Sequence, residues 1–148
     1  LDFSITGAGA FGQEIAKSYR SFADSPLQNF TTDIFGRWTG EGTSNKLPRL
    51  TTGSNLNWQN ISDIYIEKGD YVKIQNVQIG YDFKQAFRKL PFGQVRLYVS
   101  AQNLYTFTKY SGLDPEIGYG YDQGWVQGID LGYYPAPRTY MVGLNLKF

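Results

Sequence analysis

The chain contains no Cys and no His, and each absence excludes a class of chemistry. Without thiolate or imidazole side chains it has no zinc site of the usual kind, no Cys–His dyad and no Ser–His–Asp triad. Without Cys it is not a small domain held together by disulfides. The sequence therefore predicts no metal, no cofactor and no enzyme of these classes.

Charge and long apolar runs are also scarce. The 14 Lys and Arg residues nearly balance the 13 Asp and Glu residues among 148 positions. A nucleic-acid-binding protein usually shows a basic face, so no nucleic-acid partner is expected. No run of about 18 apolar residues occurs, which excludes a transmembrane helix. The chain begins at Leu1 without a signal peptide, and we interpret it as a piece or processed product of a longer protein.

What the sequence does contain favours β-structure. There are 12 Tyr, 10 Phe, 3 Trp and 17 Gly residues, and aromatic residues fit the pleated surface of a sheet. Apolar and polar residues alternate strictly in four segments, which predicts four strands with one apolar face each. Their ranges are 1–11, 65–83, 95–107 and 139–148. In the second, either the apolar band begins after Gln75 or a bulge intervenes, and Asn103 interrupts the third.

The connections between these strands are long, short and long, at about 21–64, 84–94 and 108–137. Outer-membrane barrels show this pattern, with short periplasmic turns, long outer loops, a lipid-facing apolar side and a polar lumen. The sequence therefore predicts an all-β fold made of antiparallel transmembrane β-barrel strands. The turn 84–94 is then periplasmic, and both long loops lie outside.

Alternation also predicts which side chains face lipid and which face the lumen. The predicted lipid-facing residues are Val77, Ile79, Val95, Leu97, Val99, Val142, Leu144 and Leu146. The predicted lumen-facing residues are Asn76, Gln78, Arg96, Ser100, Gly143 and Asn145. Aromatic girdles are expected near the outer end, at Tyr105, Phe107 and Tyr110, and near the inner end, at Tyr81, Phe83 and Phe148.

The end of the chain carries a second signal. Gly143 is followed by alternating Leu144 and Leu146 and by the terminal Phe148. This pattern resembles the C-terminal signal of bacterial outer-membrane barrels, which the barrel-assembly machinery reads. Pairing at an open strand edge is a ready mode of such recognition.

Several longer stretches carry a more specific signal. They are Tyr71–Tyr81, Val99–Thr108, Gly112–Glu116 and Tyr133–Tyr140, together with Arg37–Gly40 and Pro48–Arg49. The first four resemble the C-terminal end of SusC/RagA-type TonB-linked outer-membrane transporters, and the last two are similar to the preceding outer loop of that family. The resemblance implies a barrel of about 22 strands of which these are the last four. It also implies an N-terminal plug, a TonB-contacting part absent from this chain, and a SusD-like lipoprotein lid. The implied activity is import of oligosaccharides or oligopeptides across the outer membrane. The resemblance thus implies a transporter and not an enzyme.

Five aromatic residues of the second long loop are candidate contacts for a substrate or a partner, because aromatic rings stack on sugars and pack against proteins. They are Tyr119, Tyr121, Trp125, Tyr133 and Tyr134. The alternative is that they hold the loop to the rim of the barrel. The same loop contains four carboxylates, which we interpret as solvated or structural. They are Asp114, Glu116, Asp122 and Asp130.

Two other interpretations remain open at this point. A soluble or surface all-β glycan-binding module would use the two long loops as its binding surface and would need no detergent. A barrel fragment captured as an assembly substrate would engage a partner through its terminal strand. Whether the chain belongs to a transporter or is a captured barrel fragment, its four strands need the rest of the barrel, because closed barrels begin at about eight strands.

Overall fold

The computed structural model of the protein describes residues 1–19, 29–51, 58, 60, 62–86, 91–117 and 127–148. Its strands are β1 (Asp2–Ala10), β2 (Glu14–Ala16), β3 (Ile66–Lys68), β4 (Tyr71–Asp82), β5 (Gln94–Thr108) and β6 (Thr139–Lys147). Short 3-10 helices cover Thr32–Gly36, Asp63–Tyr65 and Phe83–Gln85. Within the described ranges, no helix has the length and apolar character needed to span a membrane.

The chain divides into two compact units. The sheet unit comprises residues 1–11, 71–108 and 135–148, and the loop unit comprises residues 12–70 and 109–134. The sheet unit holds one antiparallel sheet in the order β1-β4-β5-β6. The prediction of four alternating strands is confirmed, but the predicted start of the second strand at residue 65 is wrong. Residues 66–68 form β3, which pairs with β2 in the loop unit.

Strand register gathers the predicted apolar residues on one face of the sheet. Val99 lies opposite Ile79 on one side and Val142 on the other, and Leu97 lies opposite Leu144. Because paired residues in a ladder point to the same side, all eight predicted lipid-facing residues share a face. The six predicted lumen-facing residues share the other, as the pairing of Arg96 with Asn145 and of Gln78 with Ser100 requires.

A β-bulge keeps this apolar face continuous along β4. Gln75 is skipped in the pairing of β4 with β1 and in its pairing with β5, as one of the two interpretations of the sequence predicted. Gly7 shares the apolar face by alternation along β1 and pairs with Ile74, which pairs with Tyr105. At the same level of β5, Asn103 adopts a positive φ of 51°. Gln75 is therefore the extra residue of the bulge, and it returns Ile74 to the apolar face of the sheet.

On the polar face, one ion pair crosses three strands. The Arg96 guanidinium donates to both carboxylate oxygens of Asp2, at 2.6 and 3.1 Å. It passes over Gly80, where a β-carbon would collide with it. The Tyr98 ring covers Gly143 in the same way, and its centre lies 5.3 Å from the Arg96 guanidinium carbon. The two glycines thus make room for long side chains to lie flat across the sheet.

Aromatic side chains pair at both ends of the sheet. Each pair is edge-to-face, with ring centres about 5 Å apart, an arrangement that the ring quadrupoles favour. The pairs are Tyr105–Phe107 at 4.7 Å, Tyr81–Phe83 at 5.1 Å and Phe92–Phe148 at 5.3 Å. Phe148 is 93% exposed. These positions fit the predicted girdles, and the lipid contact itself stays a prediction.

Candidate functional site

The loop unit is built on the small sheet of β2 and β3, which the sequence did not predict. Ile15 on β2 lies opposite Glu67 on β3 and is buried. A third segment joins them, because the Ala16 N–H donates to the Gly128 carbonyl and the Ala16 carbonyl accepts from the Asp130 N–H, both at 2.8 Å. The segment after β1 and the connection between β5 and β6 therefore pair with each other within this unit.

An ion pair between the buried Lys17 and the partly exposed Glu67 joins β2 to β3 and to the segment after β5. The Lys17 ammonium is buried, donates to the Glu67 carboxylate and donates to the Ser111 hydroxyl at 2.9 Å. The Ser111 N–H donates to the other Glu67 oxygen at 2.9 Å. Burial alone would raise the pKa of Glu67, but the hydrogen bonds from Lys17 and Ser111 outweigh it and hold that pKa below its ordinary value.

A second buried pair joins Tyr110 to Asp130. The Tyr110 hydroxyl donates to one carboxylate oxygen at 2.6 Å, and the other oxygen accepts from the Gly132 N–H at 2.8 Å. Burial, and then the neighbouring carboxylate, raise the pKa of Tyr110, so the phenol stays protonated. The expectation that Tyr110 belongs to an aromatic girdle is wrong, because its ring lies inside the loop unit. Asp130 is 1% exposed and structural, as one interpretation predicted.

Trp58 forms the centre of a third cluster. Its side chain is 2% exposed, and its indole N–H donates to the Arg49 carbonyl at 3.2 Å. The Tyr65 hydroxyl donates to the Trp58 carbonyl at 2.5 Å. Phe30 packs edge-on against the indole, with ring centres 5.5 Å apart. These contacts hold the buried Trp58 in place, and its side chain forms part of the wall of the cavity beside it.

The larger of two neighbouring cavities in the loop unit lies beside Trp58 and has a volume of about 710 Å³. Its lining mixes both signs of charge, with the paired Lys17 and Glu67 among apolar side chains. Asp33, Lys46 and Asp63 contribute the other charged groups. The described residues hold no group of three or more Asp, Glu, His or Cys side chains placed to bind a metal ion.

The smaller cavity has a volume of about 460 Å³. Its charged lining residues, among those described, are Lys46 and Arg49, and no carboxylate lines it. Trp38 adds an indole that is 37% exposed. Asn45 and Asn60 add amides to its lining. We call this space the basic cavity.

The aromatic residues predicted from the sequence lie elsewhere. Tyr134 is 89% exposed, and Tyr133 is half-buried beside Asp130, to which its N–H donates at 3.4 Å. Tyr119, Tyr121 and Trp125 lie outside the described residues, as does the carboxylate Asp122. Asp114 accepts from the Glu116 N–H at 2.9 Å, which is a local turn contact. The roles proposed for the aromatic residues stay predictions.

Comparison with known proteins extends over the whole chain. It is 35% identical over 153 aligned residues to the TonB-dependent receptor P3 of Formosa agariphila, covering 100% of this chain and 15% of that protein. It is 28% identical over 150 residues to the TonB-dependent receptor SusC of Bacteroides thetaiotaomicron, covering 100% of this chain and 14% of SusC. The chain thus spans about one seventh of the length of these relatives. No protein-family model matches it.

Solved structures agree on the fold. The RagAB peptide importer in its open-open state matches with a TM-score of 0.75 and 22% identity, over 99% of this chain and 15% of that one. Its closed-closed state matches with a TM-score of 0.74 and 24% identity, over 99% and 15% of the two chains. The chain is homologous to TonB-dependent receptors of the SusC/RagA type. Its antiparallel sheet is a fragment of their barrel.

The resemblance to the SusC/RagA type that the sequence motifs indicated is confirmed. The homologues are receptors and transporters rather than enzymes, and proteins of this type belong to the outer membrane. The basic cavity was not predicted, although Arg37–Gly40 and Pro48–Arg49 were noted for their resemblance to an outer loop. A signal was present in the sequence, because Trp38, Lys46 and Arg49 fall within a stretch that has only one acidic residue, Glu41.

Proposed function

We propose that this chain forms part of the wall and outer loops of a TonB-dependent outer-membrane transporter that imports oligosaccharides or oligopeptides. The continuous apolar face of the four-stranded sheet carries the proposal. Its strands have 9, 12, 15 and 9 residues, and a tilted membrane-spanning strand needs about 9–11. A sheet with this length and one apolar face fits a barrel wall in lipid.

The same proposal assigns sides to the connections. The loops at about 21–64 and 108–137 face outward, where Tyr119, Tyr121, Trp125, Tyr133 and Tyr134 contact a substrate or a SusD-like lipoprotein lid. The turn at about 84–94 is periplasmic. β1 and β6 each have an edge unpaired in the described sheet, and lipid does not tolerate open edges. The remainder of the barrel completes them, with a plug and a TonB-contacting part in the same receptor.

A soluble glycan-binding module is the weaker candidate. Its sheet would expose Leu97, Val99, Val142, Leu144 and Leu146 to water, and soluble proteins rarely expose an apolar patch of that extent. Capture of the fragment by the barrel-assembly machinery concerns biogenesis and leaves the transport function of the finished barrel unchanged.

Uptake by cells tests the proposed function. A strain lacking the full-length receptor is compared with the same strain carrying it, using fluorescently labelled oligosaccharides and oligopeptides of matched size. We expect the receptor to restore uptake of one class, and removal of TonB to abolish it. Equal uptake with and without the receptor, for both classes, would contradict the proposal.

A further inference from the structure

The basic cavity lies where a tightly hydrogen-bonded loop closes on itself. The Trp38 N–H donates to the Leu47 carbonyl at 3.0 Å. Between them, the Thr43 hydroxyl accepts from the Thr39 N–H at 2.9 Å and donates to the Gly40 carbonyl at 2.7 Å. These bonds fix the loop without the functional groups of Lys46 and Asn45. Those groups stay available at a preformed site, which lowers the cost of ordering on binding.

The two cavities share Lys46 in their linings and differ in their other charged groups. The larger cavity has three carboxylates, of Asp33, Asp63 and Glu67, against two ammonium groups. The basic cavity has Lys46 and Arg49 and, among the described lining residues, no carboxylate. Hydrogen bonds from an ammonium or guanidinium to an anionic oxygen are about twice as strong as neutral ones. An anionic group is therefore the ligand chemistry that this lining favours.

The uncharged part of the lining suits a sugar. The partly exposed indole of Trp38 offers a flat apolar face, on which a sugar ring stacks. The amides of Asn45 and Asn60 and the Ser62 hydroxyl offer both donors and acceptors, as sugar hydroxyls require. The volume of about 460 Å³ is in the range of small-ligand sites.

An acidic peptide fits this lining less well. Peptides held in an extended form pair their main chain with an open strand edge. At this site the N–H groups of Trp38, Lys46 and Leu47 are already used within the loop, the last two by the Ser44 hydroxyl at 3.3 Å. The remaining groups are side chains that match hydroxyls and an anion.

We propose that the basic cavity binds an anionic sugar unit, a uronate or a sulfated sugar, of an imported oligosaccharide. Trp38 stacks on the ring, Lys46 and Arg49 contact the anionic group, and the amides contact hydroxyls. This inference rests on the proposed function for the path of the ligand, and it names the oligosaccharide class among the two proposed there.

Calorimetric titration of the purified full-length receptor tests the site without TonB. The probes are tetragalacturonate, its methyl ester, a sulfated galactose disaccharide and tetraglutamate. We expect tetragalacturonate or the sulfated disaccharide to bind at least about tenfold more tightly than the methyl ester, because the charge-assisted contacts are lost in the ester. Which of the two binds distinguishes a carboxylate from a sulfate ester.

Matched variants locate the binding site. Lys46→Gln should weaken binding of the anionic probe about tenfold or more, whereas Lys68→Gln, which removes an exposed charge outside both cavities, should leave it within about twofold. Trp38→Ala should weaken binding, while Phe35→Ala, at an exposed ring outside both cavities, should not. Each variant is first shown to fold by its heat-modifiable migration.

Three results would overturn the inference: equal binding of tetragalacturonate, its methyl ester and the sulfated disaccharide, equal effects of Lys46→Gln and Lys68→Gln, or tighter binding of tetraglutamate. Failure of the proposed function looks different. It would show as absent uptake by cells of every probe while the purified receptor still discriminates between them. Uptake of neutral oligosaccharides without discrimination by the purified receptor would refute the site alone.

Discussion

The sheet unit and the loop unit of this chain are each stabilised by a different kind of interaction. The sheet unit repeats one motif, a ladder of paired strands with apolar residues such as Val99 on one side. The loop unit depends on a few polar pairs, above all Lys17–Glu67 and Tyr110–Asp130, in which every side chain except that of Glu67 is buried. The first kind of structure tolerates most single changes that keep the alternation, whereas the second kind can lose a whole segment when one group is removed.

The largest expected effect on stability comes from a charge placed on the apolar face of the sheet. Val99→Arg places a charge in the middle of the apolar face, and should destabilise the full-length barrel by about 2–4 kcal/mol. Gln102→Arg, on the polar face of the same strand, is the matched control and should cost far less. Each purified variant is refolded in lipid vesicles, and its free energy of unfolding is then measured by denaturant titration. Equal costs would mean that the two faces do not differ in their surroundings.

A smaller effect is expected where the loop unit depends on one carboxylate. Asp130→Asn replaces an oxygen that accepts from Tyr110 with an amide, and should weaken the local structure by about 1–3 kcal/mol. Faster hydrogen exchange of the amides in residues 109–117 and 127–134, with unchanged exchange in β5, is the expected result. Asp114→Asn, which affects a local turn contact, is the control. If exchange in the sheet rose equally, the two units would not be separate in stability.

Acid should loosen the loop unit through Glu67. Its pKa is held below the ordinary value of 4.5, so the contribution of the Lys17 pair to stability is fully present above pH 4.5. That contribution is lost as the pH falls through the lowered pKa. Protection factors of the amides near Ser111 should therefore decrease in that range. Glu67→Gln should have low protection already at neutral pH and little further change, and an unaltered acid response in this variant would assign the effect to another group.

The smallest expected effect on stability lies at the end of the chain. Removing Phe148, or replacing it with Asp, takes away one exposed ring that contacts Phe92. We expect slower assembly of the full-length barrel and little change in its final stability, on our proposal that the barrel-assembly machinery reads this strand before its neighbours pair. A pulse-chase experiment that follows heat-modifiable barrel in cells measures the first, and unfolding measures the second. Unchanged assembly kinetics in both variants would contradict this role.

The difference between the units also explains what the sequence could predict. Alternation with a period of two is local, so four strands, their faces and the irregularity near Gln75 and Asn103 were readable. The break between β3 and β4 could not be read from the sequence, because it involves a distant contact. At the break, the Gly69 N–H donates to the Gln13 carbonyl at 2.9 Å.

The clusters of the loop unit could not be predicted for the same reason. Lys17 contacts groups 50 and 94 positions away along the chain, and nothing in its local sequence marks it as buried. The basic cavity likewise combines Trp38, Lys46 and Asn60 from a stretch without periodicity. The predicted aromatic contacts relied on composition alone, and composition does not place a side chain.

Cysteine labelling of intact cells tests the central claim most directly, namely that this sheet is a barrel wall with its long loops outside. The chain has no Cys, so single substitutions can be placed at the exposed Glu41, in the first long loop, and at the exposed Ala86, in the short turn. The unsubstituted full-length receptor is the control for labelling elsewhere. We predict that a membrane-impermeant maleimide labels Glu41→Cys in intact cells and labels Ala86→Cys only after the cells are broken. Equal labelling of both positions in intact cells, or the reverse order, would contradict the account.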